Sequence, residues 1–270
     1  MNEYNIYGEK DIKLVLVHGG PGARGSMKDL AIMLSDEFGV LELNQTRYSI
    51  DELIEDMKLH IDNHCKQQIV LLGHSWGAWL ICLYAVKYPE NLKKLVLVGS
   101  GCFNEDYVRE FNDTRMSRLS PDEQSYFDSL MKELNSDDLS TKNAVMKKFG
   151  ALMGKLDTYE YIENEHASVG QGDFKMYNSI WPEASSLRRT GQLIDITKHL
   201  SVPLHVIQGN YDSHNIKGIL EPFNQMDIDY DYNLLTKCGH YPWREKHAKD
   251  AFIEIIKSIT NKNRVAKELG

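Results

Sequence analysis

The 270-residue chain holds no apolar run approaching the ~18–20 consecutive residues that a membrane helix needs. Cysteine is scarce. The four thiols, Cys65, Cys82, Cys102 and Cys238, follow neither zinc-ligand nor disulfide-framework spacing, so free thiols in a reducing compartment are expected. Basic charge is in deficit, with 31 Lys and Arg against 39 Asp and Glu and a net charge of −8. That balance argues against nucleic acid or an anionic membrane as the main partner. The opening Met1-Asn2-Glu3-Tyr4-Asn5 carries neither a basic nor an apolar leader segment, so a cytoplasmic location is expected. No internal repeat or low-complexity run is visible. What remains is ordinary globular composition, 42% hydrophobic and 26% charged, in a chain long enough for one large core and an insertion.

The strongest local signal is Gly73-His74-Ser75-Trp76-Gly77, which follows the apolar run Ile69-Val70-Leu71-Leu72 and precedes a helical pattern through Ala78–Tyr88. A strand that turns sharply into a helix, with serine at the tip and glycine on either side, is a nucleophile elbow. The flanking positions lack side chains because a Cβ there would strike the neighbouring strand or helix. A small-residue turn after a buried strand is the bland alternative, and it weakens as further parts fall into place. Upstream, Ile12–Val17 runs into His18-Gly19-Gly20-Pro21-Gly22. Such a loop can aim a backbone N–H at a developing oxyanion, with the N–H of Trp76 as second donor. A phosphate cradle is the other use of a glycine-rich loop, but neither the Gly-Lys-[Ser/Thr] ending nor the G-x-G-x-x-G spacing is present.

A serine hydroxyl needs a base, and the base needs an acid to fix its tautomer and stabilise its cation. In elbow enzymes these follow in the order Ser, Asp or Glu, His. Asp212 comes after a strand at Pro203–Gln208, and His240 after a strand at Tyr232–Lys237. In a parallel sheet both reach the edge that carries Ser75. His214, two residues past Asp212, is the one rival base. His18 and His74 are expected to shape their loops by hydrogen bonding. His60, His64 and His247 are expected on solvent-facing helix surfaces, and His166, His199 and His205 have no supporting context. Cys238, close to His240, reads as a small packing residue.

Along the chain, strand and helix patterns alternate. Tyr4–Tyr7 and Leu14–Val17 are followed by a helix near Ser26–Phe38, a strand at Val40–Leu43, a helix at Asp51–Cys65 capped by Ser49 and Glu52, and a strand at Leu95–Val98. From about Asn104 to Thr197 no strand pattern occurs. That block reads as helices, one starting at Ser120-Pro121-Asp122-Glu123. Alternation resumes at Pro203 and ends in an amphipathic helix near Lys246–Leu269. The expected class is therefore α/β, a mostly parallel sheet flanked by helices. Residues 1–103 and 198–270 would form the core, and residues 104–197 a helical cap over the site. The Met and Tyr residues of that block could line an acyl pocket or simply pack its helices.

Taken together, these residues resemble the α/β-hydrolase superfamily over nearly the whole chain outside the insertion. The pairing of His18-Gly19-Gly20-Pro21-Gly22 with Gly73-x-Ser75-Trp76-Gly77 resembles its proline iminopeptidase branch. The resemblance implies Ser75, Asp212 and His240 as catalytic residues and the amides of Gly20 and Trp76 as the oxyanion hole. It also implies a cap that binds the substrate's free amine, with Glu183 in Trp181-Pro182-Glu183 matching a cap carboxylate and Trp181 beside it in the substrate site. The sequence departs from the branch in three places. Ser213 stands where a second amine-binding Glu commonly follows the Asp. The loop Asn44-Gln45-Thr46-Arg47-Tyr48-Ser49 is shortened, and the N-terminal antiparallel strands are abbreviated. The expected activity is a serine hydrolase of ester or amide bonds acting on a small molecule or short peptide. Hydrolysis of small acyl esters without aminopeptidase activity is the alternative, and a non-catalytic ligand-binding member of the fold a third reading. Serine triad chemistry calls for neither a metal nor an organic cofactor. The oligomeric state is left open.

Overall fold

The computed structural model describes residues 2–162 and 172–262. Seven strands form one sheet in the order β1-β3-β2-β4-β5-β6-β7. They are β1 Tyr4–Tyr7, β2 Ile12–Val17, β3 Gly39–Leu43, β4 Ile69–His74, β5 Leu92–Val98, β6 Leu204–Gly209 and β7 Asp231–Leu235. Only β1 is antiparallel, paired to β3 from Tyr4↔Leu43 to Tyr7↔Val40. The other pairings are parallel. The helices are α1 Lys28–Leu34, α2 Ile50–His64, α3 Trp76–Lys87, α4 Val108–Met116, α5 Pro121–Leu134, α6 Lys142–Leu156, α7 Phe174–Arg189, α8 Gln192–Thr197, α9 Lys217–Gln225 and α10 Lys249–Asn261.

Alternate residues of each inner strand feed opposite faces, as the two-residue strand period requires. Val15, Val17, Leu71, Leu95 and Leu97 pack with α2, α3 and α9 on one face. Leu14, Leu16, Val70, Leu72, Val96 and Val98 pack with α1, α10 and Trp243 on the other. This is why the inner strands read as continuous apolar runs rather than alternating ones. Each fully buried Leu or Val of this set contributes about 1.5–3 kcal/mol relative to exposure.

The segment between β5 and β6 carries α4 to α8. Among its described residues there is no strand, only an isolated bridge from Tyr161 to Glu245. Ser120 and Glu123 form the reciprocal capping box at the start of α5. α5 and α6 make a small cluster of their own around Leu130, Val145, Leu152, Met153 and Leu156. By contrast, Met176, Ile180 and Ala184 of α7, with Leu193 and Ile194 of α8, are buried in the main core beside α3.

Several local expectations need adjusting. Helix α1 is shorter than Ser26–Phe38, because residues 24–27 are drawn into the turn that follows the glycine-rich loop. Ser49 caps α2, but Glu52 reaches back to the Tyr48 N–H rather than to that of Ser49. His60 does not face solvent. It is buried on α2 against Tyr4, with Glu3 and Asp56 each 3.7 Å from its Nε2. His247 lies in the turn before α10, not in the helix, and its Nε2 bonds Glu160 at 2.8 Å. The described part of the last helix ends at Asn261; the expected extension beyond residue 262, and His166, fall outside the described residues. All four cysteines are free thiols. Among the described residues no helix is long and apolar enough to cross a membrane.

Candidate active site

Strand β4 delivers Ser75 to the carboxyl edge of the sheet, and α3 starts at the next residue. Ser75 sits at φ 55° and ψ −119°, a backbone conformation that costs about 1–3 kcal/mol for a non-glycine residue. Surrounding contacts hold it there. The Ser75 N–H donates to Val98 O at 2.9 Å. A Cβ at Gly73 would lie 2.2 Å from Gly77 O, and one at Gly77 would lie 2.5 Å from Val17 O. Only glycine permits so close an approach of strand, turn and helix. Trp76 occupies the first helical position of α3, where the backbone N–H has no intrahelical acceptor.

The glycine-rich loop after β2 lies beside this turn. Gly20, at φ 51°, lines the same cavity as Ser75 and Trp76. The loop is held by a residue that carried no sequence motif. Gln45 donates from Nε2 to His18 O at 2.8 Å and accepts the Trp76 indole N–H at 3.0 Å. Its backbone N–H donates to His18 Nε2 at 3.1 Å, which leaves His18 Nδ1 to donate to Gly19 O at 2.9 Å. Full burial holds the neutral form of His18, with its pKa depressed to about 4. The signal for Gln45 lay in its position, second after β3 in the shortened loop Asn44–Ser49, on the side of the elbow.

Asp212 follows β6 and His240 follows β7, and the two meet. His240 Nδ1 lies 2.7 Å from Asp212 Oδ2. The carboxylate also accepts Gln208 Nε2–H at 2.9 Å and the His214 backbone N–H at 2.9 Å. His214 Nδ1 lies 3.0 Å from its other oxygen. Burial by itself would raise the Asp212 pKa, but the charges and hydrogen bonds of His240 and His214 hold it well below the usual carboxylate range. Burial by itself would depress His240, yet the charge of Asp212 and the bond to it outweigh that and raise the imidazole above its ordinary value. The His240 backbone is pinned on both sides. Its N–H donates to Asp157 O at 2.8 Å, and its carbonyl accepts His74 Nε2–H at 2.9 Å. Glu245, fully buried, accepts the N–H groups of Tyr159, Glu160 and Gly239 at 2.8–2.9 Å and so ties the end of α6 to the loop before His240.

Ser75, His240 and His214 line one cavity of about 550 Å³. Its walls include Trp79, Phe111, Phe149 and Tyr177, and Trp181 stacks on Trp79 at 6.0 Å and 10° and on Tyr177 at 6.0 Å and 15°. Among the described residues no hydrogen bond joins the Ser75 hydroxyl to His240; in unliganded enzymes that contact is often loose. Asp212, His214 and His240 also bring potential metal-ligand atoms within 4.8 Å of one another, but here those atoms are bonded imidazole to carboxylate.

Glu183 sits on α7, outside the residues that line the cavity. It is exposed and accepts the N–H of Ile50 at 3.4 Å, at the N-terminus of α2. Its place on α7 points it toward a helix end, where a carboxylate is favoured by the dipole. Ser213 is buried and donates to Asp157 at 2.5 Å, while Asp157 is paired with Arg115.

A strained serine after a parallel strand, with an Asp and a His on the loops of two later strands, defines the hydrolase class of this sheet architecture. The chain matches the alpha/beta hydrolase fold family over residues 13–213 and belongs to it. It is similar to the proline iminopeptidase of Heyndrickxia coagulans, at 21% identity over 266 residues covering 92% of this chain and 90% of that protein. It is also similar to the proline iminopeptidase of Saccharolobus solfataricus, at 26% identity covering 95% and 87%. Among solved structures VinJ matches with a TM-score of 0.70 at 19% identity, covering 95% of this chain and 93% of that one, a likeness of fold.

Proposed function

We propose that the protein is a serine hydrolase, resembling proline iminopeptidases, that cleaves an ester or amide bond through an acyl-enzyme on Ser75. The observation that carries this reading is the 2.7 Å bond from His240 to buried Asp212, at a cavity that Ser75 enters from a strained turn. Ser75 Oγ bonds to the substrate carbonyl carbon, and its proton passes to His240 Nε2. Asp212 holds the tautomer that leaves Nε2 free and stabilises the imidazolium. The amides of Gly20 and Trp76 hold the oxyanion. Collapse of the tetrahedral adduct returns the proton from His240 to the leaving alcohol or amine. Water then enters by the same steps in reverse roles and frees the acid. α4, α6 and α7 line the cavity, and the stacked rings of Trp79, Trp181 and Tyr177 give the acyl group an apolar wall.

Within this class the small-ester reading gains from the contact of Glu183 with the N-terminus of α2 and from the engagement of Ser213 by Asp157. Neither supplies a carboxylate to a substrate ammonium. A small-molecule substrate fits the cavity either way.

The test is labelling by a fluorophosphonate probe together with hydrolysis of p-nitrophenyl acetate. Ser75→Ala should abolish labelling and lower turnover by roughly 10⁴–10⁶. A folded protein that neither labels at Ser75 nor hydrolyses the ester refutes the proposal. Relative turnover of prolyl-β-naphthylamide and short acyl esters then separates the two substrate readings.

A further inference from the structure

His214 stands two residues after Asp212, and the carboxylate serves both it and His240. Oδ2 faces His240 Nδ1 at 2.7 Å. Oδ1 faces His214 Nδ1 at 3.0 Å and takes the His214 backbone N–H at 2.9 Å. The His214 ring is held on both faces as well. Phe111 of α4 stacks on it at 4.1 Å and 26°, and His240 stacks at 4.9 Å and 24°. An ionised carboxylate only accepts, so Nδ1 of each imidazole carries the proton that points at Asp212.

We infer that His214 is a positioning residue for the reaction proposed above: it fixes the rotation of the Asp212 carboxylate and backs the ring of His240, so that the imidazole keeps one orientation in the cavity. The inference rests on the roles assigned to Ser75, His240 and Asp212.

The charges around the pair agree with a neutral donor. Burial holds His214 below its ordinary value against the pull of Asp212, and His240 and Arg115 push in the same direction as burial. Besides Asp212, the titratable and charged groups beside the two rings are Arg115 from α4, Asp157 at the end of α6, His74 at the end of β4 and Tyr241, edge-on to the His240 ring at 5.0 Å. Among the described residues only Asp212 lies in hydrogen-bond contact with both imidazoles. A donor on Oδ1 draws part of the carboxylate's charge away from His240. Losing that donor should strengthen the remaining Asp212–imidazolium attraction and move the His240 midpoint upward.

Two variants separate the hydrogen bond from the stack. His214→Phe keeps an aromatic ring between Phe111 and His240 but removes the donor. His214→Asn keeps an N–H donor near the position of Nδ1 and loses the ring. The His240 midpoint is read by NMR titration of the imidazole in the intact protein, and again from the acid limb of the ester pH–rate profile. His214→Phe should raise the midpoint by about half a unit and lower kcat about tenfold, within what one charge-assisted bond can do. His214→Asn should return the midpoint to the wild-type value and recover most of kcat. An unchanged midpoint in a folded His214→Phe protein overturns the inference, and so does an equal fall in kcat at every pH, since either outcome leaves His214 with packing alone. The NMR midpoint needs no turnover. A wild-type protein that neither labels nor hydrolyses would therefore sink the hydrolase reading, while the shift would still decide the role of His214.

Discussion

Gln45→Leu should damage both stability and turnover, although Gln45 touches neither Ser75 nor His240. The side chain is 3% exposed and makes two hydrogen bonds, to His18 O at 2.8 Å and from the Trp76 indole at 3.0 Å. Leucine fills most of the volume and satisfies neither group. A buried donor or acceptor left unpaired costs about 1–3 kcal/mol, so two of them cost roughly 2–6 kcal/mol. For a chain of this size, that amounts to a fall in Tm of roughly 4–12 °C, at about 2 °C per kcal/mol. The effect on rate follows from what the two bonds hold. His18 opens the loop that carries Gly20, and Trp76 carries the other proposed oxyanion donor. Outright loss of one donor costs ~10²–10³ in turnover, so slackening both should cost about tenfold. Differential scanning fluorimetry gives the first quantity, and p-nitrophenyl acetate hydrolysis well below the new Tm gives the second. A Tm within a degree of wild type with unchanged kcat would refute the clamp. It would mean that the backbone bond from Gln45 N–H to His18 Nε2 suffices.

Ester turnover should fall as pH drops through the His240 midpoint, above the ordinary value near 6.5, because the base works only unprotonated and Asp212 raises its pKa; a profile flat down to pH 5 contradicts this. Stability should also fall on acidification through His18. Its folded pKa of about 4 lies below the unfolded 6.5, so its contribution is present above pH 6.5 and is lost as pH falls toward 4, about 2 kcal/mol by pH 5. His240 works oppositely, contributing below 6.5 and losing its effect as pH rises through its raised midpoint; urea midpoints at pH 7 and 5, compared with a variant in which Asn replaces His18, read the His18 share. Gly77→Ala should give insoluble or strongly destabilised protein, since the added carbon meets Val17 O at 2.5 Å and backbone must move; a soluble variant with wild-type Tm would show that the elbow relaxes cheaply. Glu183→Gln should leave the ratio of ester to prolyl-amide turnover unchanged and cost less than about 1 kcal/mol at the α2 N-terminus; a selective loss of prolyl-amide turnover would restore its amine-binding role.

Local patterns carried much of this protein. The inner strands are apolar without interruption because both faces of the sheet are covered, and that leaves a mark in any stretch of six residues. The turn at Ser75 demands glycine on both sides by sheer closeness of backbone, so it too is written in consecutive residues. The order of Ser75, Asp212 and His240 along the chain then follows from which strands end at one edge.

What the chain alone did not reveal is direction and company. Glu183 is two residues from cavity-lining Trp181, yet a helix turns each successive side chain by about 100°, and two such steps take it to the N-terminus of α2 instead. Helix patterning alone puts His60 on a solvent-facing surface, but its surroundings are set by β1, more than fifty residues earlier in the chain. Gln45 is ordinary until folding places His18 and Trp76 on either side of it. The shared carboxylate of His240 and His214 exists because β6 and β7 lie in register and α4 brings Phe111 across the loop. Sequence periodicity records which backbone a segment adopts. Only the packed structure decides which side chains, far apart in the chain, come within 3 Å of one another.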